Sequence, residues 1–530
     1  MNASSLILAV AAVGAVALGN QTFESTCLSF APEASIWNST RTQLQYVPAG
    51  TNLTFPDNDA TCSRGSQVVP VDLCRVALSI PTSKRSSITL ELWLPEQWTG
   101  RTLATGNGGI DGCIKYEDIA YGVANGFATV GTNNGHNGTY GNAFYQNEDV
   151  VTDFAWRSLH TSAVVSKKLT AQFFDSALGK SYYIGCSLGG RQGIKAAEMF
   201  PRDFDGIVAG SPAVDFNNLY SWRASFFPLT GASSDTNFIS ATTWNTTIHN
   251  EVLKQCDEID GVKDGIIEDP TLCHFRAQEL SCQGYNTSNC LNADQVNIVE
   301  KIYTDYKWPN GSLVYPGMQP GSEILAATGL YAGRPYSPSY DWLRFVVLED
   351  PEWDPASYNI DDALIAHDKN PAGIETWPSS LAAFEGASGK LLTFHGLQDQ
   401  QITSFNSLRF YEHLATGMQY APEQLDNFYR LFRIPGMNHC NSGPGAWVLG
   451  QGGNAPSKGI PFDAKQNVLA AVVDWVEKGT APESMIGTKF VNDSVDHGIS
   501  YTHRHCRWPL NSTYLGGEHD PLQMDSWVCA

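Results

Sequence analysis

Beyond residue 20 the chain has no run of the ~18 apolar residues that a membrane-spanning helix needs, so nothing there reads as a membrane anchor. Basic residues are scarce. Lys and Arg number 33 against 54 Asp and Glu, a net charge of −21 that argues against nucleic acid or an anionic membrane as partner. No Cys-x-x-Cys pair occurs, nor any Cys/His spacing of the kind that binds zinc. Internal repeats are absent as well, so the 530 residues read as one large domain or two ordinary ones, with ample material for a core.

What is present begins with a leader. Leu6 to Leu18 is apolar and ends at the small-residue site Ala17-Leu18-Gly19, which reads as a secretory signal peptide over residues 1–19, although its start carries no Lys or Arg. Twelve cysteines follow: Cys27, Cys62, Cys74, Cys113, Cys186, Cys256, Cys273, Cys282, Cys290, Cys440, Cys506 and Cys529. An even count in an exported chain favours a full disulfide set, whose connectivity spacing does not reveal. Asn-x-Ser/Thr acceptors at Asn20, Asn38, Asn52, Asn137, Asn245, Asn286, Asn310, Asn492 and Asn511 suit a glycosylated surface.

The chain is organised around residues 181–201, SYYIGCSLGGRQGIKAAEMFP. Tyr182 to Ile184 reads as a buried strand, and Arg191 to Phe200 has apolar residues at helical spacing. Between them lies Gly185-Cys186-Ser187-Leu188-Gly189. Strand, G-x-S-x-G, helix is a nucleophile elbow, in which a sharp turn lifts the serine oxygen clear of the backbone. The five-residue pattern alone is weak; its context carries the weight.

Further strands are expected at 76–80, 88–95, 127–130, 204–209, 390–394 and 427–434, with helices over 153–174 and 468–477. The loop Thr105-Gly106-Asn107-Gly108-Gly109 follows an early strand. It is either the source of a second oxyanion donor, at Gly108 or Gly109 beside the N–H of Leu188, or a plain surface turn. Residues 212–389 separate two core strands where a single helical crossover needs only a few dozen, so most of this stretch reads as an insert.

Ser187, Asp399 and His439 occur in the order Ser…Asp…His, the last two just past predicted strands. Singly, His439 could be a structural histidine and Asp399 a turn residue. Together they make a nucleophile, the imidazole that takes its proton, and the carboxylate that orients the imidazole. Cys186 precedes the serine and Cys440 follows the histidine, so a bond between them would clamp base against nucleophile. Two free thiols, or other pairings, are the alternatives. Asp257, Asp260 and Asp264 crowd one short loop, either a solvated acidic turn or a hard-oxygen site for Ca²⁺. His395 is expected to pack or hydrogen-bond near its strand end, and residues 502–505, Thr-His-Arg-His, read as surface.

The consecutive Cys186-Ser187 and His439-Cys440 pairs with distant Asp399, together with GCSLGGRQG, FDGIVAGSPA, HGLQD and PGMNHC, resemble the fungal tannase and feruloyl esterase family, and within it the feruloyl esterases of type B. The resemblance spans nearly the whole mature chain. It implies an α/β fold: an α/β-hydrolase core (residues 20–225 and 386–530) with a large lid domain (226–385) inserted between the nucleophile and acid segments. It implies a secreted serine esterase acting on a small aromatic ester or a feruloylated polysaccharide such as xylan, with tannase activity on gallate esters as the alternative. It also implies the pairs Cys27–Cys74, Cys62–Cys113, Cys186–Cys440, Cys256–Cys273, Cys282–Cys290 and Cys506–Cys529. A structural Ca²⁺ is implied on Asp257, Asp260, Asp264 and the Val262 and Ile266 carbonyls. Two other readings are a hydrolase-like module without activity and a secreted serine peptidase.

Overall fold

The computed structural model describes residues 22–283 and 289–530; the leader and the acceptors Asn20 and Asn286 lie outside them. Nine strands form the central sheet: β1 (Thr40–Val47), β2 (Leu73–Pro81), β3 (Ser87–Pro95), β4 (Thr102–Thr105), β5 (Ala128–Thr132), β6 (Ser181–Cys186), β7 (Gly206–Gly210), β8 (Lys390–Gly396) and β9 (Tyr429–Ile434). Their spatial order is β1-β2-β3-β5-β4-β6-β7-β8-β9. The first three strands and β5 pair antiparallel, and β5-β4-β6-β7-β8-β9 pair parallel. The parallel strands are buried along almost their whole length, with only Cys186 and Lys390 at strand ends half-buried, as the largely apolar runs FATV and KLLTF suit a sheet covered on both faces. β1 is not among the expected strands: its TRTQLQYV lies mostly exposed at the sheet edge, and its apolar alternation is confined to the short stretch from Leu44 to Val47.

Helix α1 (Tyr116–Ala124) and α2 (Ser158–Phe173) pack on the first half of the sheet, α3 (Leu188–Met199) on β6 and β7, and α7 (Phe405–Met418) and α8 (Val468–Lys478) on the second half. The expected helix over 153–174 is α2 preceded by one wide turn, Asp153–Arg157. Helix α8 starts where Asn467 Oδ1 accepts the N–H groups of Leu469 and Ala470, both at 3.0 Å, and stops at Gly479 with φ +72°. Its Val472 presses so close that a Cβ on Gly206 of β7 would lie 2.5 Å from it, so glycine lets helix and sheet meet there. The C-terminal hairpin, β10 (Ser484–Phe490) and β11 (Ile499–Cys506), lies outside the main sheet, and Cys506–Cys529 ties the tail to it.

No strand between Gly210 and Lys390 joins the central sheet among the described residues. This stretch carries α4 (Phe216–Ala224), α5 (Ala293–Tyr303) and α6 (Ile360–Lys369), and builds a core of its own around Trp222, Phe226, Trp244, Tyr331 and Trp342. The same cluster takes in Ile110, Phe154 and Leu188, so the insert packs onto the sheet's carboxyl edge.

One expectation is overturned. Residues 502–505 are not a surface run: His503 and His505 are 7% and 1% exposed. Alternation along β11 turns both inward while Thr502 and Arg504 face outward. Their rings stack with centroids 4.9 Å apart, and His503 lies 3.5 Å from the half-buried Glu268 carboxylate. Burial holds His503 well below its usual range and brings His505 down to about 4, so both are neutral near pH 7.

Candidate active site

Strands β4, β6, β8 and β9 run parallel, so the loops after them leave from one edge of the sheet. Those loops carry Gly108 and Gly109, Ser187, Asp399, and His439 respectively.

Ser187 sits between β6 and α3 with φ +65° and ψ −122°, a backbone state that ordinarily costs on the order of 1–3 kcal/mol for a residue with a side chain. The surroundings hold it there. Its N–H donates to the Gly210 carbonyl (2.9 Å), and its own carbonyl accepts from Ala213 (3.0 Å). The turn also needs backbones in contact: a Cβ on Gly106 would lie 2.6 Å from the Gly189 Cα.

The Asp399 carboxylate is tightly held. Asp399 is fully buried; its Oδ2 accepts from His439 Nδ1 at 2.7 Å, and its Oδ1 accepts the N–H groups of Gln401 (2.8 Å) and Ile402 (2.9 Å). Burial alone would raise this carboxyl. The His439 charge and the hydrogen bonds from His395 and His439 outweigh it and hold the group far below the usual carboxylate range. Asp399 therefore stays ionised wherever the fold persists, and it contributes stability above the ordinary carboxylate pKa that is lost only in strong acid.

His439 follows β9 on a tight turn. The Asn441 N–H donates to the His439 carbonyl (2.8 Å), and Cys440 between them has φ +66°, a γ-turn of the rare strained kind. Cys440 is bonded to Cys186, with the two Cα atoms 5.9 Å apart. One 3.8 Å chain step from each end puts the Ser187 and His439 Cα atoms within roughly 13.5 Å of each other. The other five disulfides pair Cys27–Cys74, Cys62–Cys113, Cys256–Cys273, Cys282–Cys290 and Cys506–Cys529, and no cysteine is free.

Leu188 is the first residue of α3, so its N–H has no intrahelical acceptor. The two loop glycines differ. The Gly108 N–H donates to Asp111 Oδ1 (3.3 Å), whereas the Gly109 N–H meets no acceptor among the described residues. The Gly109 carbonyl accepts from Tyr220 Oη (3.0 Å), which ties this loop to α4.

Residues between β7 and β8 also grip the Asp399 loop. Gln319 donates from Nε2 to the Asp399 carbonyl (2.6 Å) and accepts at Oε1 from the Ser404 N–H (3.0 Å). Arg223 Nε donates to the Gln401 carbonyl (2.8 Å), and Tyr336 Oη to Gln401 Oε1 (2.8 Å). No local pattern signals these residues, because their partners lie far along the chain. A cavity of about 700 Å³ between Arg85, Phe144, Phe345 and Lys369 contains none of the four site segments.

In the acidic loop, Asp257 Oδ1 accepts from the N–H groups of Asp264 (3.3 Å) and Gly265 (3.0 Å), Asp260 Oδ1 from Val262 (3.0 Å), and Asp264 Oδ1 from Ile266 (3.0 Å). The second oxygen of each carboxylate, and the Val262 and Ile266 carbonyls, have no protein donor among the described residues. Burial, with Asp260 and Asp257 adding, pushes Asp264 up to about 6. The gathered negative charge of three aspartates, and the free hard oxygens, fit a divalent ion of the Ca²⁺ kind. No three His, Cys, Asp or Glu side chains among the described residues converge by themselves as a metal group, so backbone carbonyls would have to complete the set.

The family model described as "Tannase and feruloyl esterase" matches residues 74–341 and 343–530. The chain belongs to this family. That membership makes it a carboxylic ester hydrolase. It is 56% identical over 506 residues to a protein named probable feruloyl esterase B-2 from Aspergillus flavus, covering 96% of both chains. The crystal structure of feruloyl esterase B from Aspergillus oryzae superposes with a TM-score of 0.91 at 44% identity, covering 96% of this chain and 100% of that one. The tannin acyl hydrolase from Aspergillus niger shares the fold, with a TM-score of 0.73 at 20% identity over 96% of this chain and 94% of that one.

Proposed function

We propose that the chain is a secreted serine esterase that releases ferulate and related hydroxycinnamates from plant cell-wall polysaccharide esters. The observation that carries the reading is the Cys186–Cys440 bond, which joins the strained elbow of Ser187 to the strained turn of His439, whose Nδ1 faces Asp399 at 2.7 Å. In this mechanism Ser187 Oγ attacks the ester carbonyl as His439 Nε2 takes its proton. The Leu188 N–H, with the Gly109 N–H the better placed of the two loop glycines, receives the oxyanion. Asp399 fixes the tautomer and stabilises the imidazolium. His439 then protonates the leaving sugar alkoxide, and water, activated by the same imidazole, frees the acid from the acyl-enzyme.

Gallate ester hydrolysis is the second reading. The 56% identity to a protein named for feruloyl ester hydrolysis supports the first. Side-by-side kinetics on methyl ferulate and methyl gallate decide between them: kcat/KM should favour ferulate by at least about tenfold, ~1.4 kcal/mol of transition-state discrimination. A preference for gallate would make the chain a tannase. Peptide substrates should not be turned over.

Six disulfides suit an oxidising compartment, and no helix among the described residues is long and apolar enough to cross a membrane. Asn38, Asn52, Asn137, Asn310, Asn492 and Asn511 are exposed, as glycan acceptors must be. The proposed Ca²⁺, on Asp257, Asp260, Asp264 and the carbonyls of Val262 and Ile266, would neutralise a repelling loop in the insert and takes no part in the chemistry. Chelation with EGTA should lower the melting temperature by several degrees, and Ca²⁺ but not Mg²⁺ should restore it. An EGTA-treated protein with an unchanged melting curve and no bound calcium would remove the ion from this account.

A further inference from the structure

Asp399 serves two imidazoles. The Oδ2 atom facing His439 Nδ1 also lies 3.1 Å from Nε2 of His395, which sits on β8 and is 1% exposed. The same Nε2 is 3.1 Å from the Ile402 carbonyl, and His395 Nδ1 is 2.7 Å from Oγ of Ser407, itself buried on α7. A carboxylate oxygen and a carbonyl oxygen can only accept, so Nε2 carries the proton. In the neutral ring Nδ1 then accepts from the Ser407 hydroxyl. The result is a fixed chain, Ser407 to His395 to Asp399 to His439, in which each link has one direction of donation.

We infer that His395 is a positioning residue for the catalytic carboxylate: it pins the plane of Asp399 and, by donating to the oxygen that His439 uses, moderates the negative charge that His439 feels. This rests on Asp399 and His439 being the acid and base of the reaction. The remaining groups on this side come from between β7 and β8: Tyr315 and Tyr336, which feel the Asp399 charge, and Arg223, bonded to the Gln401 carbonyl. Burial raises both tyrosines, so neither of them titrates in mildly acidic solution. Donation by His395 spreads the carboxylate charge over one more hydrogen bond, which weakens the stabilisation of the His439 imidazolium. Without it Asp399 bears more charge toward His439, and the imidazole holds its proton to higher pH.

The variants His395→Phe and Ser407→Ala test this in the full-length protein, with circular dichroism as the check on folding. In His395→Phe the acidic limb of kcat/KM for methyl ferulate should move up by roughly half a pH unit or more. Its kcat at the optimum should fall about tenfold or more, with KM nearly unchanged. His395→Gln, whose amide N–H can still donate, should recover much of the limb position. Ser407→Ala, a smaller change less prone to misfolding, should shift the limb in the same direction by less. A limb that stays in place or moves down in both His395→Phe and Ser407→Ala overturns the inference, because a packing role would lower active enzyme without moving the profile. Asp399→Asn and His439→Ala distinguish this from failure of the underlying reading. If both remain active, the acid and base are misassigned; if both are dead while the His395→Phe limb is unmoved, only the role given to His395 fails.

Discussion

Ser187→Ala should retain the fold and lower kcat for methyl ferulate by a factor on the order of 10⁵–10⁶, leaving only what the oxyanion donors and binding supply. The loss is large because no other group near the elbow can form the acyl-enzyme: Cys186 and Cys440 are locked as a disulfide, which removes both thiols as nucleophiles. The hydroxyl contributes little to stability. The strain at φ +65° is a property of the backbone, and the bonds from Gly210 and Ala213 that hold it do not involve Oγ. Alanine keeps a Cβ, so the elbow persists and the melting temperature should change by no more than a few degrees. Burst-phase measurement sharpens the test, since the wild type should release one equivalent of alcohol before steady state and the variant none. Turnover of Ser187→Ala above about one per cent of wild type would end the serine mechanism.

The double variant Cys186→Ala/Cys440→Ala should show the next largest effect, and in two separate quantities. The bond closes a span of 254 residues, for which the chain-entropy model gives about 5 kcal/mol, an upper figure because the other disulfides already restrict the unfolded chain. Thermal unfolding should therefore start at clearly lower temperature. The kinetic effect has a different origin. Cys440 is held at φ +66° in the γ-turn that carries His439, and without the bond that turn can relax toward an ordinary conformation. A displacement of the imidazole by about 1 Å is enough to cost on the order of 10² in kcat. Measuring kcat well below the unfolding transition separates the two. A variant that melts lower but turns over at the wild-type rate would show that the disulfide is a staple and nothing more for His439.

Much of this architecture is legible in the chain. The elbow, the order of its three polar residues and the parallel strands stand out because each is a local pattern: a glycine-flanked serine between a β-branched run and a helix, and apolar stretches such as KLLTF that only a doubly covered sheet can bury. Edge strand β1 is not legible, since exposure at the sheet edge confines the alternation that marks a strand to the short stretch from Leu44 to Val47. His503 and His505 were misread for a related reason: a Thr-His-Arg-His run is polar throughout, and its two-residue period carries a signal only once a neighbouring Trp527 and Glu268 define the inner face.

The chain by itself determined the chemistry available, namely a serine, an imidazole and a carboxylate in a set order and cysteines placed beside two of them, because residue identity and nearest neighbours are covalent facts. Folding decided the rest. That Gln319 and Arg223 hold the Asp399 loop depends on distances between segments far apart in sequence, and even the near neighbours His395 and Asp399, or Gly108 and Asp111, meet only because the turns between them fold so. Hydrogen bonds reach only about 3 Å, so such partners exist only once packing has brought their atoms together.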